Sequence, residues 1–234
     1  MLHLTLLIII AYLIGSFPTS ILLVRAVKRV DIRDFGSGNA GGTNVSRVLG
    51  WGWGLSVILV DACKGFVAGA LLPLLLPVEL LVGDPGSSGV IGGVAAILGH
   101  VFPLFARFRG GKGVATAAGV AIAITQPLWV ILGVLLVFGV ILISTRFMFL
   151  ASMSGGIVYA LLVLIFTPAG VISLRVFAVA CGLLLIVLHR ANIGRWLRGE
   201  ENRLGRKTAA GPDDELVDRT VTEMVDGPEE ESNS

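Results

Sequence analysis

Apolar runs too long for a soluble core dominate this chain. A bilayer's hydrocarbon core is about 30 Å thick, so a spanning helix needs roughly 20 mostly apolar residues. Runs of that order lie at 2–24, 53–78, 88–105, 114–144, 148–166 and 171–188. Inside hydrocarbon each backbone N–H and C=O must be satisfied by the segment itself, which makes such runs helices. Only 15% of the residues are charged, against about 25% in an ordinary soluble domain. One membrane domain is therefore expected over 1–207. Nine of the sixteen acidic residues follow Lys207, in a stretch without apolar periodicity. Residues 208–234 are accordingly expected to be a disordered cytoplasmic tail.

The run 114–144 is too long for one helix. At 1.5 Å per residue it would rise about 46 Å. Gln126-Pro127 near its middle favours a break, so two spans are expected, 114–126 and 128–144. That makes seven spans. The first is not expected to be a cleaved leader, because Arg25, Lys28 and Arg29 follow the apolar run rather than precede it. The same residues hold the next loop inside and send the N-terminus out. With seven spans, sixteen of the eighteen Lys and Arg residues fall on the cytoplasmic side, the exceptions being Lys64 and Arg175. Six spans would put Arg190 to Lys207 outside, against the positive-inside rule. The expected fold is an all-α integral membrane protein with seven transmembrane helices, N-terminus outside and C-terminus cytoplasmic. Its basic residues are explained by orientation, with no nucleic-acid partner. Trp51 and Trp53 suit the interfacial belt. Cys63 and Cys181, each inside an apolar run, are expected to be small buried hydrophobes.

Three glycine-rich polar stretches then share the cytoplasmic side. The first runs from Gly36 to Arg47 and contains Ser37, Gly38, Asn39, Thr43 and Asn44. Its glycines admit close backbone approach to an anion. Thr43 or Asn44 is expected to cap a cytoplasmic extension of the second span, whose free N–H groups suit phosphate. Arg47 offers a bidentate contact. Gly36 to Gly41 also fits G-x-G-x-x-G, but a membrane helix precedes it where the dinucleotide motif needs a strand. The second stretch joins Gly99-His100-Val101-Phe102-Pro103 to Gly110-Gly111-Lys112-Gly113. It is not a P-loop, since Ala106 and Gly113 stand where that motif needs Gly and Ser or Thr. Glycines, a lysine and a helix start still suit an anion. The third is His189-Arg190-Ala191-Asn192-Ile193, with His189 and Asn192 on one helical face. Asp61 and Lys64, three apart inside the second span, read as an internal pair holding the helix. No His/Cys/carboxylate cluster has metal spacing, and no cofactor or metal is expected.

Taken together and in order, these stretches resemble the bacterial acyl-phosphate:glycerol-3-phosphate acyltransferases, over nearly the whole chain to about Glu201. Asp61-x-x-Lys64-Gly65 also looks like a feature of that family, while Gly42 stands where it more often has alanine. The resemblance implies transfer of a fatty acyl group from acyl phosphate to the 1-hydroxyl of glycerol 3-phosphate, giving lysophosphatidic acid and phosphate in phospholipid biosynthesis. It implies a multi-pass protein of the bacterial inner membrane, whose partners are the two substrates and the bilayer. No obligate protein partner is inferred.

The residues suit that chemistry. The donor is a mixed anhydride, already activated, so positioning and charge stabilisation suffice. Arg47, Lys112 and the N–H groups of Gly38, Gly110, Gly111 and Gly113 are expected at the phosphates. Ser37, Asn39, Thr43 and Asn192 are expected to orient acceptor and acyl group, with Asn44 among the substrate-binding residues. His100 and His189 are the candidates for proton handling, since histidine titrates near neutral pH. A substrate phosphate oxygen is the alternative acceptor. The rival class is an anion or phosphate-ester transporter, which tends to place its site at the midplane between repeated halves. This chain shows no repeat, and its motifs lie at one face.

Overall fold

The computed structural model describes residues 1–78, 84 and 86–205, so the acidic stretch expected as a tail lies outside the described residues. All regular structure among the described residues is helical. Leu2–Lys28, Trp51–Leu75, Ser87–Ala106 and Met148–Phe166 are long and apolar enough to cross a membrane. Ile172–Leu188 with Arg190–Leu197, bent by 48°, makes a fifth if the pair is one span. Val114–Ile124 and Trp129–Thr145 are shorter apolar helices.

The first span is not continuous. Helix α1 (Leu2–Gly15) stops before Pro18, and α2 (Thr19–Lys28) begins after it. Proline has no N–H and its ring collides with the carbonyl one turn back, so a helix cannot run through unbroken. The break takes the carbonyl of Phe17 out of the helical ladder; it accepts from the Thr19 N–H at 3.0 Å and becomes part of the site below.

A short helix α3 (Gly42–Val48) follows the first polar loop, and Leu49-Gly50 separates it from α4 (Trp51–Phe66). The expected extension of the second span is therefore a separate element. Its N-cap is Gly41 without a side-chain cap, not Thr43 or Asn44. Thr43 already lies inside the first turn, and the Asn44 amide is turned back into the loop. The second span continues from α4 through a π turn, Val67–Leu71, into α5 (Leu72–Leu75).

Next come α6 (Ser87–Val101), α7 (Val114–Ile124), α8 (Trp129–Thr145), α9 (Met148–Phe166), α10 (Ile172–Leu188) and α11 (Arg190–Leu197). The break expected at Gln126-Pro127 is present between α7 and α8.

The bundle packs α1 on α6, α4 on α7, α8 on α9 and α9 on α10. Small residues let backbones meet. A Cβ at Gly119 would strike the carbonyl of Ala62 across the α4–α7 crossing. Such close crossings are how membrane helices gain packing when lipid is as apolar as their own side chains. Val120, Val130, Val163, Phe177 and Ala178 form the largest buried cluster. Thr125 and Tyr159 satisfy each other there at 2.8 Å. The opposite faces carry exposed Leu132, Leu136, Ile143, Leu161, Ile165 and Leu183, as a lipid-facing surface should. Cys181 is buried as expected, but Cys63 is exposed. Asp61 and Lys64 occupy the inward face of α4, and Cys63 lies two residues, roughly 200°, around from Asp61.

Candidate functional site

The polar stretches meet at one end of the bundle. Arg33 ties the first to the second. It pairs with Asp31 at 2.7 Å, and its Nη1 donates to the carbonyl of Ala106 at 2.9 Å and of Arg109 at 3.3 Å. The guanidinium holds the Asp31 carboxyl well below the usual carboxylate range. Asn44 closes the first loop on itself. Its Nδ2 donates to the carbonyls of Ile32 (3.1 Å) and Phe35 (2.9 Å), and its Oδ1 accepts from the Ser37 N–H (2.9 Å). The side chain is 1% exposed and acts as a staple for the loop. Asn44→Ala would leave these backbone groups without partners. It should cost about 2–3 kcal/mol of stability, read as a lower unfolding midpoint in detergent.

Two clusters flank the second stretch, Gly110 to Gly113. In the first, Asp61 on α4 is the hub. It pairs with Lys64 at 2.7 Å and accepts from the Thr19 hydroxyl at 3.0 Å. Its Oδ1 lies 3.6 Å from Nδ1 of His100 on α6. Lys64 also donates to the carbonyl of Phe17 at 3.3 Å. A Cβ at Gly111 would collide with Nε2 of His100 and with the carbonyl of Ala40. The imidazole therefore has Asp61 behind it and the glycine loop in front. A cavity opens here, lined by Thr19, Ala40, Asp61, Lys64, His100 and Gly111 among others. The Asp61–Lys64 pair expected to hold a helix thus also contacts a histidine and a second helix.

The second cluster joins all three stretches. Lys112 Nζ donates to the Asn192 Oδ1, and Asn192 Nδ2 donates to Glu201 at 2.7 Å. Arg195 pairs with the same carboxylate at 2.7 Å. Arg47 feels both Glu201 and Arg195, and its withdrawal from water lowers its pKa from the ordinary arginine value. Burial, with Arg195 and Arg47 nearby, brings the Lys112 ammonium down to about 8, partly offset by Glu201. His189 sits just past the end of α10, 3% exposed, with Nδ1 against the Leu185 carbonyl at 2.7 Å. Burial and the neighbouring Lys112 push it down to about 4, so it is neutral at pH 7. Three cations against one carboxylate leave two positive charges, the opposite of a phosphate monoester dianion.

Of the residues singled out in the sequence, the second cluster brings together Arg47, Lys112, His189 and Asn192. His100, Gly110 and Gly111 line the cavity, and Gly113 is the N-cap of α7. Ser37, Gly38 and Asn39 share the first loop, and Thr43 lies in the first turn of α3. Their side chains form no hydrogen bond to either cluster among the described residues. Two contributors escaped the sequence reading. Glu201 was hidden in a basic C-terminal stretch. The chain beyond α11 folds back there, with the Leu204 N–H on the Arg146 carbonyl at 2.7 Å and Arg203 over the Phe147 ring at 5.2 Å. An acidic pair, Glu200-Glu201, set among arginines was its available signal. Thr19 had none, because only the break at Pro18 aims it at Asp61.

The bundle and its cationic end define an integral membrane protein with a charged site built from interhelical loops. The sequence profile of the glycerol-3-phosphate acyltransferase family matches residues 5–199. A glycerol-3-phosphate acyltransferase of Chlorobium luteolum is 38% identical over 225 residues, covering 83% of this chain and 94% of that protein. One of Thermoanaerobacter pseudethanolicus is 39% identical over 201 residues, covering 86% and 95%. The crystal structure of PlsY, an integral membrane glycerol 3-phosphate acyltransferase, in its glycerol 3-phosphate form has a TM-score of 0.76 at 37% identity, covering 86% of this chain and 96% of that one. Its lysophosphatidic acid form gives 0.73 at 36%, covering 86% and 95%. The chain belongs to the glycerol-3-phosphate acyltransferase family, and it is a membrane acyltransferase of phospholipid synthesis.

Proposed function

We propose that the chain transfers a fatty acyl group from acyl phosphate to the 1-hydroxyl of glycerol 3-phosphate, releasing lysophosphatidic acid and phosphate, at the cytoplasmic face of a bacterial inner membrane. The observation that carries this is the contact of Lys112 with Asn192, with Glu201, Arg195 and Arg47 around it. It makes a buried site of net charge plus two where a soluble and a lipid-linked phosphate would meet. The solved relative with glycerol 3-phosphate, and its lysophosphatidic acid form, supply the matching acceptor and product.

The same contact supports an even number of passes between Lys112 and His189, as seven passes require, and the basic loops support an N-terminus outside. Four helices, α7 to α10, separate Lys112 from His189, and an even number returns the chain to the same side. A continuous α7–α8 would have put them on opposite sides. The acyltransferase unit is 1–207, and 208–234 is an appended acidic segment. Arg47, Lys112 and the N–H groups at Gly110, Gly111 and Gly113 hold phosphate. Asn192 and the neutral His189 orient the acceptor, and the first loop with Ser37, Gly38 and Asn39, together with Thr43 at the start of α3, faces the substrates.

The test is the purified chain in detergent with acyl phosphate and glycerol 3-phosphate, followed for inorganic phosphate and lysophosphatidic acid. Stoichiometric release of both is expected without a second compartment, which separates acyl transfer from transport. Turnover with an acyl thioester but none with acyl phosphate would refute the donor assignment.

A further inference from the structure

We infer that Asp61 is a positioning residue for the acyl transfer, orienting His100 so that its Nε2 lone pair faces the Gly110–Gly111 loop to receive the proton of the acceptor hydroxyl. This rests on the function proposed above and goes beyond it by choosing between the two histidines. His100 Nδ1 lies 3.6 Å from the Asp61 carboxylate, and its Nε2 is on the side of Gly111, where an added Cβ would strike it. An acid behind one ring nitrogen fixes which nitrogen carries hydrogen, leaving the other to accept. Asp61 is 3% exposed and His100 8%. The carboxylate is itself held by the Thr19 hydroxyl and the Lys64 ammonium, from two elements, so it cannot swing away. His189 is the poorer proton acceptor. Its Nδ1 partner is a carbonyl, and the Lys112 cation stands beside it. The charged or titratable groups facing His100 across the cavity are Asp61 and Lys64.

The step balances as follows. The acceptor O–H bond breaks and its proton moves to Nε2, while the oxygen forms a bond to the acyl carbon. The bond from that carbon to the bridging oxygen of the acyl phosphate then breaks. Phosphate leaves with the electron pair and takes the proton back from Nε2.

Asp61→Asn, His100→Gln and the double variant of the full chain in detergent test this, with acyl phosphate and glycerol 3-phosphate as substrates. Asp61→Asn should lower kcat about tenfold or more while KM for glycerol 3-phosphate stays within about twofold. The double variant should be no slower than His100→Gln alone. Asp61→Asn also strips Lys64 of its partner, so Thr19→Val serves as a milder second variant. It should give a smaller drop in kcat of the same kind. The chain has three histidines, so ring-nitrogen NMR of the ¹⁵N-labelled protein is tractable. The His100 Nδ1–H form should dominate in wild type and be lost in Asp61→Asn. Unchanged kcat in Asp61→Asn, losses that multiply in the double variant, or a tautomer indifferent to Asp61 would each overturn the inference. If His100→Gln turns over normally, histidine proton transfer fails and the inference with it. If wild type ignores acyl phosphate, the donor assignment fails separately, and the tautomer spectrum still decides the Asp61–His100 link.

Discussion

Replacing Lys112 by methionine is expected to reduce kcat/KM about 100- to 1000-fold, the usual effect of removing one donor aimed at charge that develops in the transition state. Methionine keeps most of the side-chain volume, so the loss reports the ammonium rather than a cavity. The pH dependence provides an independent reading of the same group. Lys112 is brought down to about 8 by burial and by its cationic neighbours. It is therefore charged below pH 8 and neutral above, and kcat/KM should fall as pH rises through about 8. Since kcat/KM reports the free enzyme and kcat the complex, bound phosphate should move the limb in kcat to higher pH. Lys112→Arg should push the kcat/KM limb up, because a guanidinium stays charged throughout this range. A Lys112→Met enzyme with wild-type kcat/KM would remove Lys112 from the site.

Gly111→Ala should lower kcat about 100-fold, the scale of a displacement of about 1 Å at a reacting centre. The added methyl would meet the His100 ring and the backbone carbonyl of Ala40 together. The ring is flexible and the carbonyl is not, so either the ring turns off Asp61 or the first loop shifts away. Both outcomes separate groups that the fold brings together. Gly139→Ala is the matched control. Its Cβ would meet nothing within 4 Å, and its rate should equal wild type. Equal rates for both variants would show that the glycine loop has slack to spare.

How much of this was legible in the sequence depends on the range of the interaction. The break between α7 and α8 was readable from Gln126-Pro127, because proline restricts its own neighbourhood. Met148–Phe166 matches the expected sixth span to the residue, because turn residues bound its apolar run on both sides. The first span was expected as an apolar run at 2–24, but its internal break at Pro18 was not read. Hydropathy averages over a window and does not register a single proline inside it. The buried assignment of Cys63 failed similarly, since composition places a residue in a helix without saying which way it points. Within the site, Arg47, Lys112, His189 and Asn192 were legible one motif at a time.

Sequence alone determined that this is a helical membrane protein with glycine-rich, basic loops expected on one side. The period and length of apolar runs and the placement of charge are properties of the chain itself. Tertiary structure alone decided that those loops form two clusters rather than one surface. It brought Lys112 to Asn192 across 80 positions, set Glu201 against Asn192 and Arg195, and put Asp61 behind His100. Such contacts depend on how α4, α6 and α7 cross and where the chain beyond α11 folds back. No local rule of spacing carries that information, because it arises when small residues let distant backbones meet.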